Sequence, residues 1–190
     1  MTHSIPAAIR KAGIEDIESI MKIEYSAFHS EIVESEKTFK DRIKTFGDGF
    51  LVAEIETGEG KAIAGYISSE LWEYSKEIRY SNFNLNHSIC ETHKTSGNEL
   101  YISSIAVDPT VRGKNIGKRL FEELLKTVSE KYRLKSAILI VNSEWKSAFE
   151  MYQKNGFEIV AEIPNFFLKN EEQDSQKMTQ GNGKIMRRLF

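Results

Sequence analysis

The feature that most constrains the fold is a change of pattern past the middle of the chain. A run nearly free of charge, Leu100 to Val107, turns through Asp108-Pro109-Thr110 and gives way to a helical repeat of apolar residues. A strand with so few charges reads as buried on both faces. Beyond the turn, Ile116, Leu120, Leu124 and Val128, with Phe121 and Leu125 beside them, make one broad apolar helical face. The pattern then repeats. Ala137 to Val141 reads as a buried strand, and Trp145, Ala148, Phe149 and Tyr152 as a short helix stopped by Asn155-Gly156. Phe157 to Ile163 and Lys184 to Leu189 read as strands, with a polar stretch from Lys169 to Gly183 between them. Strands alternating with helices call for an α/β layer architecture around a mixed sheet.

The first half adds a strand, two helices and a hairpin. Ala7 to Ala12 is a short strand broken by Gly13, after which Ile14, Ile17, Met21 and Phe28 recur near helical spacing. A second helix spans Glu36 to Phe46, with Gly47 as its stop. Phe50 to Glu56 and Lys61 to Glu70 are strands joined by Thr57-Gly58-Glu59-Gly60. Between Trp72 and Asn98 periodicity is weak. That stretch carries Trp72, Tyr74, Tyr80 and Phe83, so a partly ordered lid is expected. Neither a repeat nor a linker divides the chain, and 190 residues suit one domain over 1–190.

Bulk properties narrow the function. The formal charge is −2, from 26 basic and 28 acidic residues, which supplies no basic field for nucleic acid. The one cysteine, Cys90, forms no internal disulfide and suits a reducing compartment. Met1 to Pro6 lacks the basic and apolar segments of a signal peptide, and no apolar stretch nears the roughly 20 residues that span a bilayer. The expectation is a cytoplasmic protein with no membrane partner.

Between the uncharged strand and its helix lies Arg112-Gly113-Lys114-Asn115-Ile116-Gly117-Lys118. A helix opening leaves backbone N–H groups unpaired and carries positive partial charge, so it suits anions. Gly113 and Gly117 permit tight turning and close approach, and Asn115 tolerates left-handed geometry. Arg112, Lys114 and Lys118 add charge, so the segment reads as a pyrophosphate cradle. It is neither a Walker A loop, because Arg119 follows Lys118, nor a G-x-G-x-x-G dinucleotide loop. By itself an ordinary strand–helix turn with exposed basic residues fits it equally.

From Ser104 to Leu120 the chain closely resembles the acetyl-CoA-binding segment of the GNAT N-acetyltransferase superfamily. That pattern is an I-A-V strand end, then Arg or Gln, two residues, Gly, one residue, and Gly or Ala. A second landmark, Leu-Tyr before Gly-Phe, is matched by Met151-Tyr152 with Gly156-Phe157. The resemblance implies the GNAT fold, a single mixed, largely antiparallel central sheet of about seven strands flanked by about four helices. It implies that Ile105, Ala106 and Val107 bond the pantetheine arm like an added strand, and that amides from Arg112 to Lys118 hold the pyrophosphate. Tyr152 matches the family's tyrosine near the thioester sulfur and is the candidate acid for the departing thiolate. Two positions depart from the pattern. Asn115 stands where Gly is usual, and Trp145 where the family commonly has Asn; Asn142 or Ser147 is expected to replace that amide.

The implied activity is acetyl transfer from acetyl-CoA to a primary amine by direct attack in a ternary complex, with no metal. The amine arrives protonated, so a base is required. The histidines of serotonin N-acetyltransferase-like members fall at Tyr101 and Ser103, and the glutamate of the ribosomal-protein alanine N-acetyltransferases at Ile140. Neither base is present. Alternation puts Tyr101, Ser103 and Ile105 on one face, so a water held by Tyr101, Ser103 or Glu99 is the expected relay. His87 and His93 of the lid are alternatives that read equally as solvated loop residues, and Glu99 as a surface charge. The acceptor is a small-molecule amine or a peptide N-terminus, the latter suggested by Ile163-Pro164-Asn165-Phe166-Phe167 and Ile185-Met186-Arg187. Trp72, Tyr74 and Phe83 either line an apolar amine site or form the lid's core, and Glu70, Glu73 and Glu77 either attract cations or form a solvated face. A homodimer is left open. The alternative from another class is a non-catalytic acetyl-CoA sensor or interaction module, which binds cofactor but releases no thiol.

Overall fold

The computed structural model describes residues 6–30, 32–167 and 181–190. The expected polar stretch from Lys169 lies outside them as far as residue 180. The strands are β1 (Ala8–Lys11), β2 (Phe50–Thr57), β3 (Gly60–Trp72), β4 (Glu99–Val107), β5 (Ser136–Asn142), β6 (Glu158–Ile163) and β7 (Gly183–Leu189). They form one sheet in the order β1-β2-β3-β4-β5-β7-β6. Four longer helices, α1 (Ile17–Ala27), α2 (Glu36–Thr45), α4 (Ile116–Lys131) and α5 (Lys146–Lys154), cover it, and α3 (Ile89–Thr92) is a single turn. This is the mixed α/β fold expected from the sequence. None of the helices among the described residues is long and apolar enough to cross a membrane.

Connections decide the strand directions. A tight hairpin forces β2 and β3 antiparallel; Gly60 takes φ 115° there and its carbonyl accepts from Thr57 Oγ1 at 2.6 Å. Between β4 and β5 lies a whole helix, α4, and a crossover of that length permits parallel pairing. The other neighbouring pairs are antiparallel.

Each face of the sheet has its own core. On one, Leu120, Phe121, Leu124 and Val128 of α4 pack without exposure against Leu51, Leu100, Ile102 and Leu139. On the other, Ile20 and Ile23 of α1 and Phe39 of α2 meet Phe50, Val52 and Tyr66. Ser35 caps α2, its Oγ accepting from the Thr38 N–H at 3.1 Å. Ser35→Ala is expected to lower stability by about 1 kcal/mol, read as a shift in the chemical denaturation midpoint at unchanged slope.

The segment between β3 and β4 is tied at both ends. Lys94 N–H bonds Leu71 O at 2.8 Å and Asn98 N–H bonds Trp72 O at 2.9 Å. Trp72 and Phe83 are buried, with Trp72 stacked on Tyr101 at 3.9 Å and Phe83 edge-on to both. These aromatics are therefore core rather than an exposed amine site.

Candidate active site

The site begins where two parallel strands part. β4 and β5 pair only from Glu99↔Ser136 to Ile102↔Leu139, although β4 continues to Val107 and β5 to Asn142. Past Ile102 the edge of β4 that faces β5 has no strand partner among the described residues, and its N–H and C=O groups are open to a guest. A bulge sits at the parting: Ser68 pairs with Ser104 and Ser69 with Ile102, leaving Ser103 as the extra residue. Its hydroxyl is held by Ser68, at 2.8 Å from Oγ and 3.1 Å from the carbonyl.

The bulge corrects the expected alternation. An inserted residue shifts every later side chain to the other face. Tyr101 joins the cluster of Trp72, Phe83 and Ile138, whereas Ile105 packs with the α4 core on the opposite face. Tyr101, Ser103 and Ile105 thus do not share a face.

The loop before α4 forms one wall of a cleft of about 1000 Å³. Asn115, the residue before the helix, takes φ 64°, and Gly113 takes φ 77° with nothing near the place of a Cβ. Val111 N–H bonds Asp108 O and Arg119 N–H bonds Asn115 O, both at 3.0 Å. Among the described residues, the intervening N–H groups from Arg112 to Lys118 have no backbone acceptor. Arg112, Gly113, Asn115, Ile116, Gly117 and Lys118 line the cleft, with Ile105, Ala106 and Val107 on the strand side. Lys114 does not line it. Opposite, α5 contributes Ser147, Met151, Lys146 and Lys154. Of the two expected replacements for the missing amide, only Ser147 lines the cleft; Asn142 accepts from Glu144 N–H at 3.0 Å within its own turn. The left-handed geometry makes a sharp prediction. Asn115→Val is expected to cost about 1–2 kcal/mol, because a β-branched side chain fits that conformation poorly, whereas Asn115→Gly is tolerated. Melting curves of the two variants check it.

A second, smaller cavity of about 90 Å³ adjoins the cleft, and Phe28, Ile105, Trp145 and Ala148 line both. Its walls are mostly apolar and include Ile32, Leu85, Phe166 and Phe167. Trp145 packs between Phe28 at 5.5 Å and Phe167 at 5.1 Å, so the residue that departs from the pattern shapes the junction. Tyr101, Ser103 and Tyr152 also line this cavity. Burial raises the Tyr152 phenol well above its ordinary value, so it stays protonated.

Two carboxylates complete the wall that sequence reasoning missed, Glu24 of α1 and Glu34. Glu24 is 1% exposed, and Oε1 accepts from Glu34 N–H at 3.0 Å. Tyr66 Oη donates to Oε2 and lies 3.0 Å from Ser104 Oγ. Burial first, with repulsion from Glu34 adding, pushes Glu24 up to about 7 despite the Tyr66 bond. Glu34 is paired with buried Arg42, whose Nη2 donates to Oε1 at 2.8 Å. The signal for Glu24 was legible: it falls at helical spacing on the same apolar stripe as Ile17, Ile20 and Met21.

Other expected groups lie elsewhere. Glu99 is not a surface charge; it is 3% exposed, accepts from Ser136 Oγ at 2.7 Å and pairs with Arg187 at 2.8 Å, and lines neither cavity. Nor are His87 and His93 free loop residues, since each is half-buried with a hydrogen-bond partner. His87 Nε2 is 2.5 Å from buried Glu70, and His93 Nδ1 accepts from Leu71 N–H at 3.2 Å; neither lines the cleft or the smaller cavity. Glu70 is 1% exposed, while Glu73 and Glu77 are exposed.

Comparison with known proteins bears on this geometry. A family model described as Acetyltransferase (GNAT) family matches residues 14–157. No curated protein sequence matches the chain. Among solved structures, the GphF GNAT-like decarboxylase in complex with isobutyryl-CoA is 18% identical, with 96% of this chain and 98% of that one covered and a TM-score of 0.73. Ard1 from Thermoplasma volcanium is 22% identical over 97% and 98% of the two chains, with a TM-score of 0.66. The ribosomal-protein-S18-alanine N-acetyltransferase from Escherichia coli is 18% identical over 97% and 94%, with a TM-score of 0.65. Identities this low establish a shared fold.

Proposed function

Because the chain belongs to the acetyltransferase (GNAT) family, we propose that it is an N-acetyltransferase that passes acetyl from acetyl-CoA to a primary amine by direct attack in a ternary complex, acting as one domain over residues 1–190. A single observation carries the reading: the anion cradle and the apolar cavity meet at the parting of β4 and β5 and share Phe28, Ile105, Trp145 and Ala148. A cofactor held in the cleft therefore ends where an acceptor can enter.

The residues present fit acetyl-CoA. N–H groups from Arg112 to Lys118 take the pyrophosphate, with Arg112 and Lys118 adding charge. The open edge of β4 at Ile105, Ala106 and Val107 takes the pantetheine amides. Ser147 supplies a hydroxyl from the opposite wall, and Tyr152, its proton retained by burial, is the acid for the leaving sulfur. When bound, acetyl-CoA supplies the activated acyl group; the chain orients it and moves protons.

The acceptor is a compact primary amine with an apolar flank. Phe28, Ile32, Leu85, Phe166 and Phe167 favour such a flank, and the carboxylates of Glu24 and Glu34 favour an ammonium end. A protein N-terminus with a small first residue and a small arylalkylamine both meet that description. The solved relative named as an alanine N-acetyltransferase supports the former.

The deciding experiment incubates the protein with acetyl-CoA and a panel of peptides and arylalkylamines, following free thiol and the mass of the product. Thiol release together with an acetylated amine is expected. Tight acetyl-CoA binding without release above background would instead establish the sensor reading.

A further inference from the structure

We infer that Glu24 is the final acceptor of the amine's proton and that Ser104 and Tyr66 carry it there, an inference that rests on the acetyl-transfer function proposed above. Neither His87 nor His93 lines the cleft or the smaller cavity, and Glu99 is taken up by Ser136 and Arg187, so the site needs another base.

The hydrogen bonds run in one direction. Tyr66 has one hydroxyl proton, and it goes to Glu24 Oε2. The contact of 3.0 Å between Tyr66 Oη and Ser104 Oγ is then filled by the serine's proton. Ser104 is left with free lone pairs at the cavity wall, where an ammonium group would donate. Among the described residues no cation bonds Glu24 directly, because Arg42 is committed to Glu34. A buried carboxylate held by a phenol and one amide is costly for stability alone. Its titration at about 7 suits a group that takes up and releases protons at neutral pH. The charged and titratable groups facing it are Glu34, Arg42 on α2 and Tyr66 on β3; Tyr101 and Glu70 interact with Arg42 behind them. Tyr66, pushed far up by burial and by Glu24, passes a proton without itself ionising.

The step balances. An ammonium proton passes to Ser104 as the serine's passes to Tyr66 and the phenol's to Glu24, leaving a neutral amine and a neutral carboxylic acid. The amine's lone pair then bonds the acetyl carbon as the carbon–sulfur bond breaks. Nitrogen loses its second proton and sulfur gains one through Tyr152. Glu24 returns its proton to solvent, so each turnover yields amide, thiol and one proton.

The test is the pH profile of kcat/KM for the wild type and for Glu24→Gln, Tyr66→Phe and Ser104→Ala, with acetyl-CoA titrations alongside. The wild type is expected to show a limb rising with pH through about 7, since the carboxylate is the active form. Glu24→Gln is expected to lose that limb and about 100-fold in kcat while binding acetyl-CoA as the wild type does. Tyr66→Phe and Ser104→Ala should lower kcat similarly. Because Tyr66 is fully buried and its variant risks the fold, Ser104→Ala on the cavity wall is the safer second arm. A limb that survives in Glu24→Gln belongs to the substrate's own ammonium and overturns the relay. Unchanged kcat in Ser104→Ala overturns it too. A wild type that acetylates no amine overturns the relay together with the proposed function, so the two failures are distinct.

Discussion

Arg42→Ala is expected to cost about 3–5 kcal/mol of stability, the penalty for leaving a charge buried without its partner. Arg42 is 2% exposed and Glu34 5%. The pair does more than balance charge. Glu34 Oε1 also accepts from Asn86 N–H at 3.0 Å, and Asn86 Oδ1 accepts from Ser35 N–H at 2.9 Å. The lid and the start of α2 are thus fastened through one carboxylate. The double variant Arg42→Met with Glu34→Leu removes both charges and should lose far less, because the desolvation cost disappears with the attraction. Denaturant titration of the three proteins separates the cases, and a single-variant loss under about 1 kcal/mol would mean that water reaches the pair. Since Ile32, Glu34 and Leu85 wall the smaller cavity, Arg42→Ala should also raise KM for the amine more than for acetyl-CoA.

Tyr152→Phe is expected to lower kcat by about 10²–10³-fold with little change in stability or acetyl-CoA affinity. The ring packs on Phe121 at 5.4 Å and on Phe157 at 6.1 Å, contacts that phenylalanine keeps. The hydroxyl makes no hydrogen bond to any described residue, so its loss orphans nothing. On the proposed reaction, what is lost is the proton for the leaving sulfur. Stopped-flow detection of thiol and a direct cofactor titration separate rate from binding. Unchanged turnover would remove Tyr152 from the chemistry.

Local pattern was enough for much of this. The uncharged run at Leu100 to Val107, the apolar stripe of α4 and the hairpin at Thr57 to Gly60 were readable because their periodicity and turn chemistry are set by near neighbours along the chain. The turn before α4 was readable for the same reason: a glycine and an asparagine with positive φ in front of a helix are local facts. Where local pattern misleads, the cause is contact between distant segments. Glu99 reads as a strand-end charge until Ser136 and Arg187 bury it. His87 reads as a loop residue until Glu70 closes on it.

What the sequence by itself determined, then, is the order of strands and helices and the glycine-containing turn before α4, since backbone propensity and side-chain periodicity act within a few residues. Only the tertiary structure decided the chemistry at the parting of β4 and β5. The bulge at Ser103 arises from pairing with β3, whose residues lie far earlier in the chain, and it separates the faces of Tyr101 and Ile105. Glu24, Tyr66 and Ser104 likewise come from α1, β3 and β4, and only packing of the helix on the sheet joins them. A carboxylate becomes a base near neutrality through desolvation, and desolvation belongs to the packed molecule, not to the residue.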